Sequence, residues 1–153
     1  MLKKYFPFLF VPVFYLADQI SKQVVLGTLP ENTSYPVVPG VFYLTHVNNT
    51  GAAFGLFRGA GLLLIVVTFL SISLLFSYLL LKWKSVRPLE AWGWILVIGG
   101  ALGNLHDRLL YRHVIDFLDF RIWPVFNIAD TCICVGVFCV LWNVFRTHAP
   151  HSI

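Results

Sequence analysis

Long apolar stretches separated by short polar ones dominate the chain, at about residues 5–26, 59–81, 89–105 and 125–145. A helix needs roughly 20 apolar residues to cross hydrocarbon, so the pattern predicts four transmembrane helices. The second stretch, Gly59–Leu81, has no charged residue and reads as lipid-facing scaffold. The first opens like a secretory signal peptide, with Lys3 and Lys4 before an apolar run. However, Asp18, Gln19 and Lys22 stand where a small-residue cleavage site would lie, so it is read as an uncleaved helix that Pro7 and Pro12 can bend. In the third, the uncharged core Ala91–Leu105 is 15 residues, about 22 Å at helical rise and short of the hydrocarbon thickness. Its polar end, with Asn104, Asp107 and Arg108, is therefore expected to dip into the membrane. The fourth begins with Asn127 and Asp130 and stops before Arg146.

The connection at 27–58 is too long for a simple turn. Pro39 and Gly40 signal one turn, Val41–Val47 reads as a strand, and Asn48–Gly51 marks a second turn. A short sheet over the mouth of the bundle is the expected result. Ala52–Phe57 then forms an apolar, glycine-containing patch suited to lipid or an apolar ligand. The fold class is thus an all-α membrane protein, a four-transmembrane-helix bundle with a small β-containing outer loop, in one domain over 1–153.

Composition supports this reading: 58% of residues are hydrophobic and 12% charged, and the mean hydropathy is +0.78, far from a soluble domain. The net charge of +4 does not indicate nucleic acid, because the basic residues are scattered between apolar runs. They set topology instead. Lys3, Lys4, Lys82, Lys84, Arg87 and Arg146 fall on one side of a four-span chain, which makes that side and both termini cytoplasmic. Residues 27–58 and the segment around 107–121 then face outward. Cys132, Cys134 and Cys139 sit in one apolar stretch and read as buried free thiols. The five His show no ligand spacing, so no metal is expected. Serine-hydrolase elbows and phosphate-binding glycine loops are absent from the sequence.

The chemistry concentrates in Asp116 and Asp130, at the entrance of the last apolar stretch. Carboxylates at the edge of hydrocarbon are costly to ionise and commonly mark a proton path, a ligand site or catalysis. Fourteen residues separate them, enough for the chain to fold one onto the other. Two carboxylates that meet in a poorly solvated site share one proton, the arrangement of aspartic proteolysis. The plainer alternative pairs Asp116 and Asp119 with Arg112 or Arg121 at the interface. Asn127 and Asp130 share a helix face, where Asn127 either orients a substrate or carboxylate or caps the helix. Asn104, Asp107 and Arg108 share another face. Arg108 offers a forked donor for a carbonyl or phosphate, or an ion pair to Asp107 or Asp119. Asp18 and Lys22 read as an intrahelical salt bridge that could also brace the site. Two other classes compete with a peptidase: a proton-coupled carrier and a structural or partner-binding membrane protein.

Five ordered segments carry a resemblance: Asp18-Gln19-Ile20-Ser21-Lys22, Asn49-Thr50-Gly51-Ala52-Ala53-Phe54, Gly99 through Leu109, Val114-Ile115-Asp116-Phe117 and Phe126-Asn127-Ile128-Ala129-Asp130. With them the chain resembles the lipoprotein signal peptidases (signal peptidase II), bacterial inner-membrane aspartic peptidases. The resemblance implies that Asp116 and Asp130 form the catalytic dyad and that Asn49, Gly51, Asn104, Arg108 and Asn127 line or support the substrate site. It further implies that Asp18 and Lys22 belong to the polar framework beneath. The implied substrate is a prolipoprotein carrying a diacylglyceryl-modified Cys, cut on the amino side of that Cys. The chain itself is expected to work as a monomer among membrane lipids, without cofactor or nucleic acid. One departure stands out: Arg112 occupies a position where the family often has Gly, and Gly would permit a left-handed turn.

Overall fold

Burying the polar residues of the third apolar stretch shapes the whole molecule. The computed structural model describes residues 6–51, 59–82 and 84–148. The patch Ala52–Phe57, together with Lys3, Lys4, Arg58 and His151, lies outside the described residues. After a 3-10 turn at Phe6–Phe10 come four long helices: α1 (Val11–Thr28), α2 (Gly61–Lys82), α3 (Pro88–Tyr111) and α4 (Ile128–His148). Pro12 falls in the first turn of α1, where a missing N–H breaks no helical bond. Among the described residues three segments are long and apolar enough to cross a membrane: Phe8–Thr28, Gly61–Lys82 and Ile128–Arg146.

Helix α3 is not among those three, in keeping with its short uncharged core and polar end. It carries Glu90 in its first turn and Asn104, Asp107 and Arg108 near its end. It also runs to Tyr111, past the expected end at Leu105, because those polar groups find partners inside the protein. Helix α4 begins at Ile128 rather than Val125, since Phe126 pairs instead with Leu118.

Helix α3 packs against α1, α2 and α4. Its contact with α4 is set by small residues: a Cβ on Gly93 would lie 2.7 Å from the carbonyl oxygen of Gly136, so only glycine lets these backbones approach so closely. Leu79 of α2 packs with Ala91, Ile95 and Ile98 of α3. Glu90 ties that end of the bundle, accepting bonds from Tyr78, Trp94 and Asn143. In α2 only Leu79 is buried, while Leu63, Phe69 and Leu74 are exposed, as expected of a helix facing lipid.

The predicted strand at Val41–Val47 is β2 (Phe42–Asn49), preceded by β1 (Ser34–Val38). The third strand, β3 (Val114–Asp119), comes from outside the 27–58 loop, and the antiparallel order is β1-β2-β3. Its alternation explains it: Ile115 and Phe117 pack with Val25, Leu44 and Tyr111, leaving Asp116 on the other face. Pairing of Asn49 with Val114 and of Val47 with Asp116 places Asn49 diagonally beside Asp116.

The turn from α3 into β3 is made by Arg112 itself, at φ 67 and ψ 5, with its N–H bonded to the Arg108 carbonyl. A side chain can adopt the left-handed cap, at a cost of about 1 kcal/mol relative to glycine. Replacing Arg112→Gly is expected to stabilise the protein by about that amount, read as a higher thermal midpoint in detergent. A lower midpoint would mean that the Arg112 side chain holds more than its backbone costs.

Candidate active site

A fully buried ammonium group organises the polar interior. Lys22 has no solvent exposure, and its three N–H donors meet three acceptors: Asp18 Oδ2 at 2.7 Å, Asp107 Oδ2 at 2.7 Å and Asn104 Oδ1 at 3.1 Å. Asp18 and Asp107 are equally buried. Gln19 joins them, donating to Asp107 Oδ1 at 2.9 Å and to the Gly103 carbonyl at 3.2 Å. A Cβ on Gly103 would collide with the Asp18 carboxylate, so glycine makes room for the ion cluster. Among the described residues no buried side-chain polar atom lacks a partner, as a low-dielectric interior requires.

Asp18 also reaches the start of α4, accepting the Ala129 N–H at 2.9 Å. Asn127 caps the same helix: its Oδ1 accepts the Asp130 N–H at 2.8 Å, and Asp130 Oδ2 accepts the Asn127 N–H at 3.3 Å. This reciprocal pair is a capping box with Asp in the usual Glu position, and the positive end of the helix favours the nearby carboxylates.

Three amides then point their N–H groups at the two aspartates. Asn104, with its oxygen held by Lys22 and Asn127, donates to Asp130 Oδ1 at 2.8 Å. Asn127 Nδ2 donates to Asp116 Oδ1 at 2.7 Å, and Asn49 Nδ2 donates to Asp116 Oδ2 at 2.8 Å. Asn49 is itself fixed by the Gly51 N–H at 2.9 Å, while the Gly51 carbonyl accepts Arg108 at 3.2 Å. Burial pushes the Asp116 carboxyl up to about 7, the Asp130 charge adding to the rise and the bonds from Asn49 and Asn127 opposing it. One side-chain amide therefore touches both carboxyl-bearing residues, and the Asp116 proton is retained to near neutral pH.

The two aspartates open onto a cavity of about 1410 Å³, lined also by Asn49, Asn104, Arg108 and, apart from these, largely by apolar groups including Phe120, Val125 and Val135. The nine residues expected at the site form one network: Asp116, Asp130, Asn49, Asn104 and Arg108 line the cavity, Gly51 and Asn127 are bonded to them, and Asp18 and Lys22 form the ion pair bonded to Asn104. The alternative pairings resolve residue by residue. Arg121 lies 3.4 Å from Asp119, not against Asp116, and Arg108 bonds the carbonyls of Asn104 and Gly51. Asn127 both caps and orients. The Lys22–Asp18 pair is intrahelical and also part of the cluster.

Sequence reasoning missed Gln19 and the place of Asp107 opposite Lys22. Their helical spacing was the available signal, since Gln19 adjoins Asp18 and Asp107 follows Asn104 by three. The apolar wall at Ile133–Val135 had no signal beyond hydropathy. Among the described residues no three His, Cys, Asp or Glu side chains converge as a metal site. His46 bonds the Leu29 carbonyl at 2.9 Å, and His106 bonds Tyr15 at 2.7 Å. Cys132 is buried, but Cys134 is exposed and Cys139 half-buried, which corrects the expectation that all three thiols are buried.

Similarity to known proteins gives the class. Two solved bacterial membrane enzymes share the chain's path: one has a TM-score of 0.84 and 25% identity, covering 100% of this chain and 95% of that one. The other has a TM-score of 0.79 and 27% identity, covering 95% and 94%. The molecule is a membrane peptidase of the aspartic type. Sequence comparison supplies the family. A signal peptidase (SPase) II family profile matches residues 10–146. The lipoprotein signal peptidase of Pelotomaculum thermopropionicum is 47% identical over 142 residues, 92% of each chain. That of Moorella thermoacetica is 45% identical over 140 residues, 90% of this chain and 92% of its own. The chain belongs to the signal peptidase II family.

Breaking the ion cluster from its centre should be severe. Lys22→Met leaves Asp18 and Asp107 buried without their cation, and a loss of about 3–5 kcal/mol is expected. Thermal unfolding in detergent should show a midpoint many degrees lower. A midpoint within one or two degrees of the unaltered protein would mean that the cluster is not what holds α1, α3 and the sheet together.

Proposed function

We propose that this protein removes signal peptides from prolipoproteins, cutting on the amino side of a diacylglyceryl-modified Cys, with Asp116 and Asp130 as a dyad that shares one proton. The observation that carries the reading is the pair itself: Asn127 donates to Asp116 Oδ1 and accepts the Asp130 N–H, and burial beside the Asp130 charge pushes the Asp116 carboxyl up to about 7. The ionised carboxylate takes a proton from water as the water oxygen attacks the scissile carbonyl carbon. The protonated partner gives its proton to the carbonyl oxygen. Collapse of the tetrahedral adduct, with proton transfer to nitrogen, breaks the C–N bond, releases the Cys amine and leaves a carboxylate on the signal peptide.

The apolar cavity walls suit a substrate that carries acyl chains, and burying those chains contributes on the order of 0.8 kcal/mol per methylene. Arg108, which lines the cavity, offers a forked donor suited to a peptide carbonyl or a lipid oxygen. In this reading all four helices cross the bacterial inner membrane, both termini are cytoplasmic, and the dyad lies near the outer face of a monomer. The distribution of Lys82, Lys84, Arg87 and Arg146 supports that orientation.

The test is cleavage of a diacylglyceryl-modified precursor by the purified protein in lipid. Asp116→Asn and Asp130→Asn are each expected to lower turnover by about 10²–10⁴-fold while remaining folded. Retained activity in either variant would remove that residue from the chemistry. A precursor lacking the diacylglyceryl group should be cut far more slowly, and equal rates would refute lipid-driven binding. The pH dependence follows from the raised Asp116: as pH climbs past about 7 its proton is lost, both carboxylates become bases, and kcat/KM should fall about tenfold per pH unit. A flat profile from pH 6 to 9 would contradict proton sharing.

A further inference from the structure

The loop between β3 and α4 has an apolar tip that neither the core nor the carboxylate pair explains. Ile122 is 93% exposed and Trp123 is 59% exposed. The loop is nonetheless firmly built. Its base is closed by Leu118 and Phe126, each donating its N–H to the other's carbonyl, at 2.7 and 3.1 Å. Phe120 packs on Phe42 and stacks with Phe126, with ring centroids 4.9 and 6.0 Å away. Arg121, in the left-handed conformation at φ 65, is fixed on the sheet. Its N–H donates to Asp119 Oδ1 at 2.8 Å, its guanidinium donates to Ser34 Oγ at 2.6 Å, and it lies 3.8 Å over the Tyr43 ring. With Phe120 and Arg121 held to the sheet, Ile122 and Trp123 follow at the loop's exposed tip.

Their depth follows from α4. The membrane-crossing part, Ile128–Arg146, is 19 residues, about 28 Å of helix, which matches a hydrocarbon core of about 30 Å. Its first residue therefore sits at the edge of hydrocarbon, and the loop that ends just before it lies at headgroup level. Trp is at home there, its ring spanning the apolar and wet layers, whereas an Ile so exposed to water would gain nothing. Ile122 and Trp123 also border the cavity that holds Asp116 and Asp130, together with Val135 of α4, so the tip is continuous with the bundle's lipid-facing surface.

We propose that Ile122 and Trp123 insert into the lipid headgroup and acyl boundary, forming a membrane-held lip on the cavity. The lip fixes the height of the two carboxylates relative to the bilayer surface. This rests on the membrane placement of α4 and does not depend on which residues do the chemistry.

The experiment uses the full chain in nanodiscs of phosphatidylethanolamine and phosphatidylglycerol, with or without bromine at acyl positions near the headgroup. The chain has five Trp, so the Trp123 signal is isolated as the difference between unaltered protein and Trp123→Phe. Thermal midpoints confirm that the two are equally folded. The expected difference spectrum is blue-shifted, quenched at least twofold by brominated lipid and insensitive to aqueous iodide. An Ile122→Ser background should reduce the lipid quenching. Quenching by iodide without quenching by brominated lipid would overturn the proposal, placing the tip in water. Quenching by neither would also overturn it, because protein would then cover the residue. Cleavage by the unaltered protein in the same nanodiscs is read separately, so failure of the lip and failure of the peptidase reading are distinct results.

Discussion

A single buried cation, Lys22, is the constraint from which the rest of the site follows. An ammonium group inside a helix bundle is tolerable only if every proton finds an acceptor, and the acceptors come from α1 (Asp18) and from α3 (Asp107 and Asn104). Each partner then acts outward. Asp107 Oδ2 takes the Ile115 N–H at 3.2 Å and so anchors β3 to α3. Asp18 caps α4. Asn104, its oxygen occupied by Lys22, is obliged to turn its N–H toward Asp130. The register of a strand, the start of a helix and the orientation of an amide all trace to one charge.

The two aspartates differ in how they are held. Asp130 sits in the first turn of α4 and takes bonds from Asn104 and from its own helix cap. Asp116 sits on a strand, deeply buried, and takes bonds from Asn49 and Asn127. Placing one carboxyl on a helix terminus and the other on a strand beside it gives them unequal surroundings, which separates proton donor from proton acceptor in the proposed dyad. The scaffold is rigid where this matters, since both amides that contact Asp116 are themselves fixed. The open side is the apolar cavity, which suits a lipid-bearing chain entering from the bilayer.

Much of this was legible in the sequence because burial and helical spacing are local. Asp18 and Lys22 four apart, Asn127 and Asp130 three apart, and Asn104 with Arg108 four apart each declared a shared face before any fold was known. The strand at Val41–Val47 was readable from its β-branched and aromatic residues. What sequence could not supply was the pairing. β3 reads as a connection until β2 is beside it, and only the register reveals that Asn49 faces Asp116. Likewise the short uncharged core of α3 showed that its polar end must dip inward, and the sequence did not show what that end would meet. Its partners, Lys22 and Gln19, lie more than eighty residues earlier in the chain. Arg112 shows the reverse: the departure from glycine was visible in sequence, and the backbone adopts the left-handed turn regardless.

As a proposed dyad, Asp116 and Asp130 hold one proton between them near neutral pH. Infrared spectroscopy of protein labelled with 13C-carboxyl aspartate, compared with Asp116→Asn, tests this most directly. The expected result is a protonated-carboxyl band at pH 6 that titrates away at about pH 7 and is missing from the variant. Both carboxylates fully ionised at pH 6, with identical spectra from the two proteins in that region, would contradict it.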